Sequence, residues 1–387
     1  MPPDTTKTSP AAQKQRTNKQ PARGKKQQGL DAREEPLHPT AGEYRLLCQL
    51  ASHLQQLSPW SFMSETEVFG VQDPESGALG FVSVMGQLGE FHAISVYRGV
   101  EGLYSWRNFV ELLTIDAKNE VANDMVYEIP QLQLAFVEPT ILEKRDREII
   151  KAAGFKFPKT QQPQFRSYRP GYFPWFLTQA EASHLVSALT QTIIVAARFF
   201  SDDNVIPFIE APEDRDYLIR VPRLKDAIPS WEDSIVTVDP PPTQLLSLSV
   251  DGPTLGKLKE FSRSGALEVE LFILPAKVGR RQERPRLLYA LLAVDSASDF
   301  ILGMQLMEAI DGVELMYARV AETLASDWKQ HQMVPQEIRV RSARLLNVLQ
   351  PLATELAVTL SLVKKLPALN RAKRSMIEHL GDEKLHF

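Results

Sequence analysis

Cysteine is nearly missing from this chain: of 387 residues, only Cys48 carries a thiol. An intrachain disulfide and a thiolate metal cluster are thereby excluded, and the usage fits a reducing compartment, so a cytoplasmic setting is expected. An excess of charge of either sign is missing too. Lys and Arg number 44 against 48 Asp and Glu, a formal net charge of -4, which supplies no global attraction to nucleic acid or an anionic membrane. Long apolar runs are scarce. The best candidate, around residues 193–200, is short and ends in Arg198, Ser201, Asp202 and Asp203, so no membrane span is expected. No apolar stretch follows the first basic residues, which argues against a secretory signal. His38, His53, His92, His184, His331, His379 and His386 show no HxH or HExxH spacing, leaving a zinc site without support. No GxSxG elbow occurs, and Gly86, Gly89, Gly99 and Gly102 lack the strand–GxGxxG–helix order of a phosphate loop. Neither a metal nor a cofactor is expected.

What is present divides into four stretches. Residues 1–40 carry Lys7, Lys14, Arg16, Lys19, Arg23, Lys25 and Lys26 among Pro, Gln and Thr, with hardly a large apolar residue. Such a segment buries too little surface to offset its ordering entropy and reads as a disordered basic tail. It is a solvated tail or an electrostatic arm for nucleic acid or an acidic partner. Residues 41–238 read as an α+β domain with an antiparallel meander. Tyr44, Leu47, Cys48, Leu50, Ala51 and Leu54 recur at helical spacing and stop at Ser58 and Pro59. Three short strands follow around residues 67–98, joined by an Asp73-Pro-Glu-Ser-Gly77 turn and a Gly86-Gln-Leu-Gly89 turn. Helices are predicted over 101–113, 140–153 and 178–200, the last opened by Thr178 with Glu181 as a capping box. Short strands are expected near 205–210, 217–221 and 234–238. Pro240, Pro241 and Pro242 mark a linker over 239–253.

Residues 254–387 give a helix near 255–262, strands at 268–278, 286–295 and 299–308, and then a helix over 313–330. A strand at Glu337-Ile-Arg-Val-Arg-Ser342, a helix over 343–357 interrupted by Pro351, a strand segment over 359–367 and a closing helix over 368–380 complete the set. The segment Tyr289-Ala-Leu-Leu-Ala-Val-Asp-Ser-Ala-Ser-Asp-Phe-Ile-Leu-Gly303 resembles the second and third strands of integrase and transposase catalytic cores. The resemblance covers residues 268–380 and implies a ribonuclease H-like α/β domain with a mixed sheet. In that superfamily, carboxylates on the first strand, at the end of the fourth and on a late helix hold two metal ions that clamp a phosphodiester. Here the first strand is apolar at its centre, and Arg341 and Ser342 stand where the fourth strand would want an Asp; Arg339 and Arg341 would repel a divalent ion. The stretches Phe69-Gly-Val-Gln-Asp-Pro74, Gly80-Phe-Val-Ser-Val-Met-Gly86, Tyr97-Arg-Gly99 and Glu101-Gly-Leu103 are similar to an uncharacterised bacterial two-domain family. The Glu337-Ile-Arg-Val-Arg-Ser342 and Leu366-Pro-Ala-Leu-Asn-Arg-Ala372 segments resemble its second domain of unknown function. This likeness implies two domains and carries no activity.

Candidate residues follow from chemistry. Asp295, Glu270 and Glu378 are the acids from which a divergent metal-dependent nuclease site would have to be built, although Asp295 and Asp299 read first as turn residues. Arg166, Arg169, Tyr172 and Trp175 interleave aromatics with arginines, as base-stacking surfaces and core corners both do. Lys364, Lys365, Arg371, Lys373 and Arg374 cluster as a basic patch or a solvated helix face. Together these features point to a non-enzymatic binding or regulatory protein. A metal-dependent nucleic-acid enzyme and a small-ligand sensor with a pocket between the domains are the alternatives.

Overall fold

Helix starts are written in the side chains. The Thr40 hydroxyl accepts the Glu43 N–H at 3.2 Å while Glu43 Oε2 accepts the Thr40 N–H at 2.6 Å, a reciprocal cap that opens α1 (Ala41–Leu57). Its buried face carries Leu47, Cys48, Leu50, Ala51 and Leu54, and Ser58 closes it in the left-handed region. Burial pushes the Cys48 thiol up to about 12, so it is an inert core group. The computed structural model describes residues 37–89, 91–115, 120–200, 206, 214–225, 228–242, 250–280 and 283–381. Most of the expected basic tail, all but Ile206 of the strand expected near 205–210, and about half of the expected linker lie outside them.

The first region continues with β1 (Phe69–Gln72), β2 (Leu79–Met85), β3 (His92–Arg98), α2 (Gly99–Ile115), α3 (Glu120–Glu128), β4 (Gln131–Val137) and α4 (Lys144–Ala153). Then come β5 (Gln162–Tyr168), α5 (Gln179–Ala197), β6 (Asp216–Lys225) and β7 (Ile228–Thr237). These strands form a seven-stranded sheet of order β5-β4-β3-β2-β1-β6-β7, antiparallel except where β1 runs parallel to β6. Both of its faces are covered. Val82, Val96 and Leu132 stand in register across β2, β3 and β4 and pack with α1 and with Leu185, Ala188 and Leu189 of α5. On the other face Phe81, Tyr97 and Tyr217 meet Leu103 and Trp106 of α2, with the Tyr97 and Trp106 rings stacked at 5.2 Å.

Three sequence expectations shift here. The charged helix starts at Lys144 rather than Thr140, because Glu143 caps it by accepting from the first turn and Asp146 reaches back to the Glu143 N–H. The nine-residue α3 was not anticipated. Gln179–Phe200 does reach the length and mean hydropathy, 1.2, of a membrane span, a correction to the expected shortage of long apolar runs. Its inner face nevertheless buries His184, Gln191 and Thr192 beside leucines and alanines, and Arg220 donates to Gln191 there at 2.9 Å, as in a core helix.

The second region holds α6 (Gly252–Glu260), β8 (Ala266–Val278), β9 (Arg286–Asp295), β10 (Ile301–Glu308), α7 (Val313–Ala318) and α8 (Val320–His331). β11 (Glu337–Val340), α9 (Ala343–Leu356), β12 (Thr359–Leu362) and α10 (Pro367–Gly381) follow. Its five-stranded sheet has the order β10-β9-β8-β11-β12; β9 alone runs against its neighbours, and β8, β11 and β12 are parallel. The single helix expected over 313–330 breaks into α7 and α8 at Arg319. Pro351 sits inside α9 without ending it. One face of the sheet packs with α6 to α9 around buried Trp328, Leu324 and Leu349; the other packs with α10 through Phe272, Leu292 and Leu369.

Candidate functional site

Side chains alternate along β8. Leu267, Val269 and Leu271 face α6 to α9, which turns Glu268, Glu270 and Phe272 toward α10. Both glutamates are buried, and each has found a different partner. Glu268 Oε2 accepts the Leu369 N–H at 2.8 Å, near the start of α10, where the helix begins with Pro367 and backbone donors have no partner within the helix. A carboxylate there also suits the positive end of the helix dipole. Glu270 Oε1 accepts from Arg341 Nε at 3.1 Å and Nη2 at 2.5 Å, and Lys373 Nζ lies 3.6 Å from Oε2. The same ammonium sits 4.1 Å over the Phe272 ring. Arg341 reaches Glu270 because it follows directly on β11, whose pairing with β8 runs only from Ala266 to Glu268.

Beyond that pairing the edge of β8 is taken up by α3. Asp124 Oδ2 accepts the Ile273 N–H at 3.0 Å, satisfying a backbone donor that no strand covers. One turn later, Glu128 Oε2 accepts from Arg344 Nη1 at 2.7 Å, and Arg344 Nη2 donates to Glu314 at 2.6 Å. The Arg344 guanidinium lies 3.9 Å over the Tyr317 ring. Burial pushes the Asp124 carboxyl up, with Glu270 adding to that push and Lys373 and Arg341 opposing it. Burial likewise raises Glu128 against the pull of Arg344. Burial, followed by the Glu128 charge, pushes the pKa of the buried Tyr289 hydroxyl up. The result is a layer of carboxylates and cations between α3, β8, β11 and α10. Among the described residues no group of three or more His, Cys, Asp or Glu is arranged to hold a metal ion.

Of the acids weighed from sequence, Asp295 and Glu270 lie on opposite faces of the sheet. Asp295 stands opposite Leu267, on the α6–α9 face and three strand positions from Glu270, about 10 Å at the usual rise. Its Oδ1 accepts from the Ala297 and Ser298 N–H groups and the Ser298 hydroxyl, closing the hairpin turn in which Asp299 takes φ 62°. The Glu378 side chain lies outside the described residues. Arg166 is buried against Asp146, Nη1 to Oδ1 at 2.7 Å and Nη2 to Oδ2 at 2.6 Å, and its guanidinium lies 4.6 Å over the Phe176 ring. Of the two readings weighed for it, base stacking and a core corner, this buried pairing favours the corner. Arg169 pairs with Glu181 at 2.8 Å.

Tyr172 and Trp175, both half-buried, belong to a corner that docks the two regions. Trp175 and Ser167 exchange backbone hydrogen bonds at 2.8 and 3.0 Å, the Phe173 N–H meets Pro285 O at 2.9 Å, and the Leu287 N–H meets Gly171 O at 2.9 Å. In the basic patch Arg371 pairs with Asp299 at 2.5 Å and Lys373 with Glu270. Lys364, Lys365 and Arg374 are exposed. Asp124, Glu128 and Arg344 escaped the sequence reading; the available signal was the spacing of Ala122, Met125, Val126 and Ile129 ahead of Pro130, a helix pattern diluted by polar residues.

Residues 44–220 match the family model described as Domain of unknown function (DUF7309), and residues 254–377 match one described as Domain of unknown function (DUF6930). The two matches are separated by residues 221–253, which contain Pro240, Pro241 and Pro242. No curated protein matches the chain.

Proposed function

We propose that this chain is a non-enzymatic binding or regulatory protein of the bacterial cytoplasm, whose second region is a ribonuclease H-like module with its metal site replaced by ion pairs. The strand order β10-β9-β8-β11-β12 with β9 reversed supports the fold reading. It is the order in which the first, fourth and fifth strands run parallel at one side of the sheet. One observation carries the functional reading: Glu270 on the first strand is held by Arg341, just past the fourth, and by Lys373 on the last helix. These are the positions from which the resemblance would draw three carboxylates for two cations. Two basic side chains there neutralise Glu270 directly, and a divalent ion would have to displace both against their charge. The exposed Lys364, Lys365 and Arg374 are the contact candidates for an acidic partner.

The test is cleavage of single- and double-stranded DNA and RNA by the full chain in magnesium or manganese. No turnover is expected. Metal-dependent cleavage that disappears in Glu270→Gln would overturn the reading and establish the nuclease alternative instead.

A further inference from the structure

Glu181, the third residue of α5, is 3% exposed and saturated. Its Oε2 accepts the Thr178 N–H at 2.9 Å. Its Oε1 accepts from Ser167 Oγ at 2.9 Å, Arg98 Nη1 at 3.2 Å, and Arg169 Nη2 and Nε at 2.8 and 3.3 Å. A third guanidinium joins from the second region: Arg284 Nη1 donates to the carbonyl of the same Ser167 at 3.0 Å. Two arginines thus pair with one carboxylate while the third, Arg284, is held beside them by a backbone carbonyl and forms no ion pair among the described residues. Burial lowers the Arg284 pKa to about 10, and Arg169 and Arg98 push the same way against Glu181, as expected where positive charge is not fully compensated. The charge is reachable, since the Arg98 and Arg169 side chains are 41% and 42% exposed. The N-terminal end of α5 adds positive potential.

Two cations in excess, presented as planar forks, match a doubly charged tetrahedral oxyanion better than a single carboxylate. We propose that Arg98, Arg169 and Arg284 form a binding site for a phosphate group, carried by a small soluble phosphate ester or by a nucleic-acid backbone, that ties the two regions together. The site is independent of the ion pairs around Glu270, so it stands or falls separately from the non-enzymatic reading.

Calorimetric titration of the full chain with inorganic phosphate, against chloride at matched ionic strength, tests it. Saturable binding is expected, with a rise in melting temperature that chloride does not produce. Arg284→Gln and Arg98→Gln should each weaken binding about tenfold or more, about 1.4 kcal/mol, whereas Arg371→Gln, at a distant exposed pair, should leave it unchanged. Arg98→Lys keeps the charge, guards against misfolding, and should weaken binding less than Arg98→Gln. Tighter binding of nucleoside monophosphates than of oligonucleotides would assign the phosphate to a small ester, and the reverse, with the same arginine dependence, to a nucleic-acid backbone. Absence of saturable phosphate binding, or unchanged affinity in a folded Arg284→Gln protein, would overturn the proposal.

Discussion

Glu181 in the first region and Glu270 in the second are both buried glutamates held by arginine, at 3% and 5% exposure, yet their surroundings differ in kind. Around Glu270 the cations are inside: the Arg341 side chain is 8% exposed, and Asp124 stands close enough to feel Glu270, Lys373 and Arg341. Around Glu181 the cations outnumber the acids and two of the three face water. A neutralised, closed network serves packing and register between elements. An open one with surplus charge serves recognition. The same residue types therefore imply different roles, and the difference lies in the local charge balance and in which partner reaches solvent.

The contrast is sharpest under truncation. Arg341→Ala removes both hydrogen bonds to Glu270 Oε1 and leaves the buried carboxylate with the longer Lys373 contact at 3.6 Å, which should destabilise the fold by about 3 kcal/mol. Arg98→Ala leaves Glu181 with Arg169, Ser167 and Thr178 and removes a half-exposed partner, so a loss of about 1 kcal/mol or less is expected. Urea denaturation of both variants decides the matter, and equal losses would break the comparison.

Next in size is the corner between the regions. Gly171 takes φ +82°, and a Cβ there would stand 2.7 Å from the Ala309 Cβ. Gly171→Ala should cost about 1–2 kcal/mol from the left-handed backbone alone, with the close approach to Ala309 adding to it. Thermal unfolding measures this. If the corner is what joins the regions, the variant should also separate one unfolding transition into two.

Much of this frame was legible from local pattern. The Thr178 and Glu181 cap, the end of α1 at Ser58 and the hairpin closed by Asp295 are set by residues within a few positions of one another, so a window of sequence contains their physics. The charge networks were not legible, because their partners are far apart in the chain. Arg341 and Glu270 are separated by 71 residues, and Arg344 and Glu128 by 216. Sequence reasoning expected Arg341 to repel a metal ion and missed the glutamate it binds. It left Arg166 open between a base-stacking surface and a core corner because Asp146, 20 residues earlier, lies on a different element. It overlooked α3 because that helix owes its place to the edge of β8, and only the second region supplies that edge.

Acid separates the two networks by sign. Burial works to raise Glu181, but the Thr178 N–H and the Arg169 guanidinium outweigh it and hold the carboxyl below its ordinary value. A depressed folded value means the unfolded state binds the proton more readily. The stabilisation is therefore present above the unfolded value, about 4.3, and is lost as pH falls through the folded one. Asp124 and Glu128 are raised, chiefly by burial, so they act oppositely: their contribution to stability falls as pH climbs from the unfolded value through the folded one. Stability measured from pH 3 to 8 should show Glu181→Gln flattening the acid limb and Glu128→Gln flattening the decline at higher pH. The same slope change from both variants would end the distinction.

The smallest effect belongs to the surface. Arg371 and Asp299 meet at 2.5 Å, but their side chains are 55% and 43% exposed, and water and salt screen such a pair while both side chains lose rotamer freedom to hold it. Asp299 already sits at φ 62° in a turn closed by Asp295 and Ser298, so the hairpin does not depend on Arg371. Arg371→Ala should be indistinguishable from the unaltered chain in urea denaturation at high salt and shift it only slightly at low salt. A loss comparable to that of Arg341→Ala would mean that proximity alone, without burial, sets the strength of ion pairs in this molecule, and the contrast between Glu181 and Glu270 would lose its physical basis.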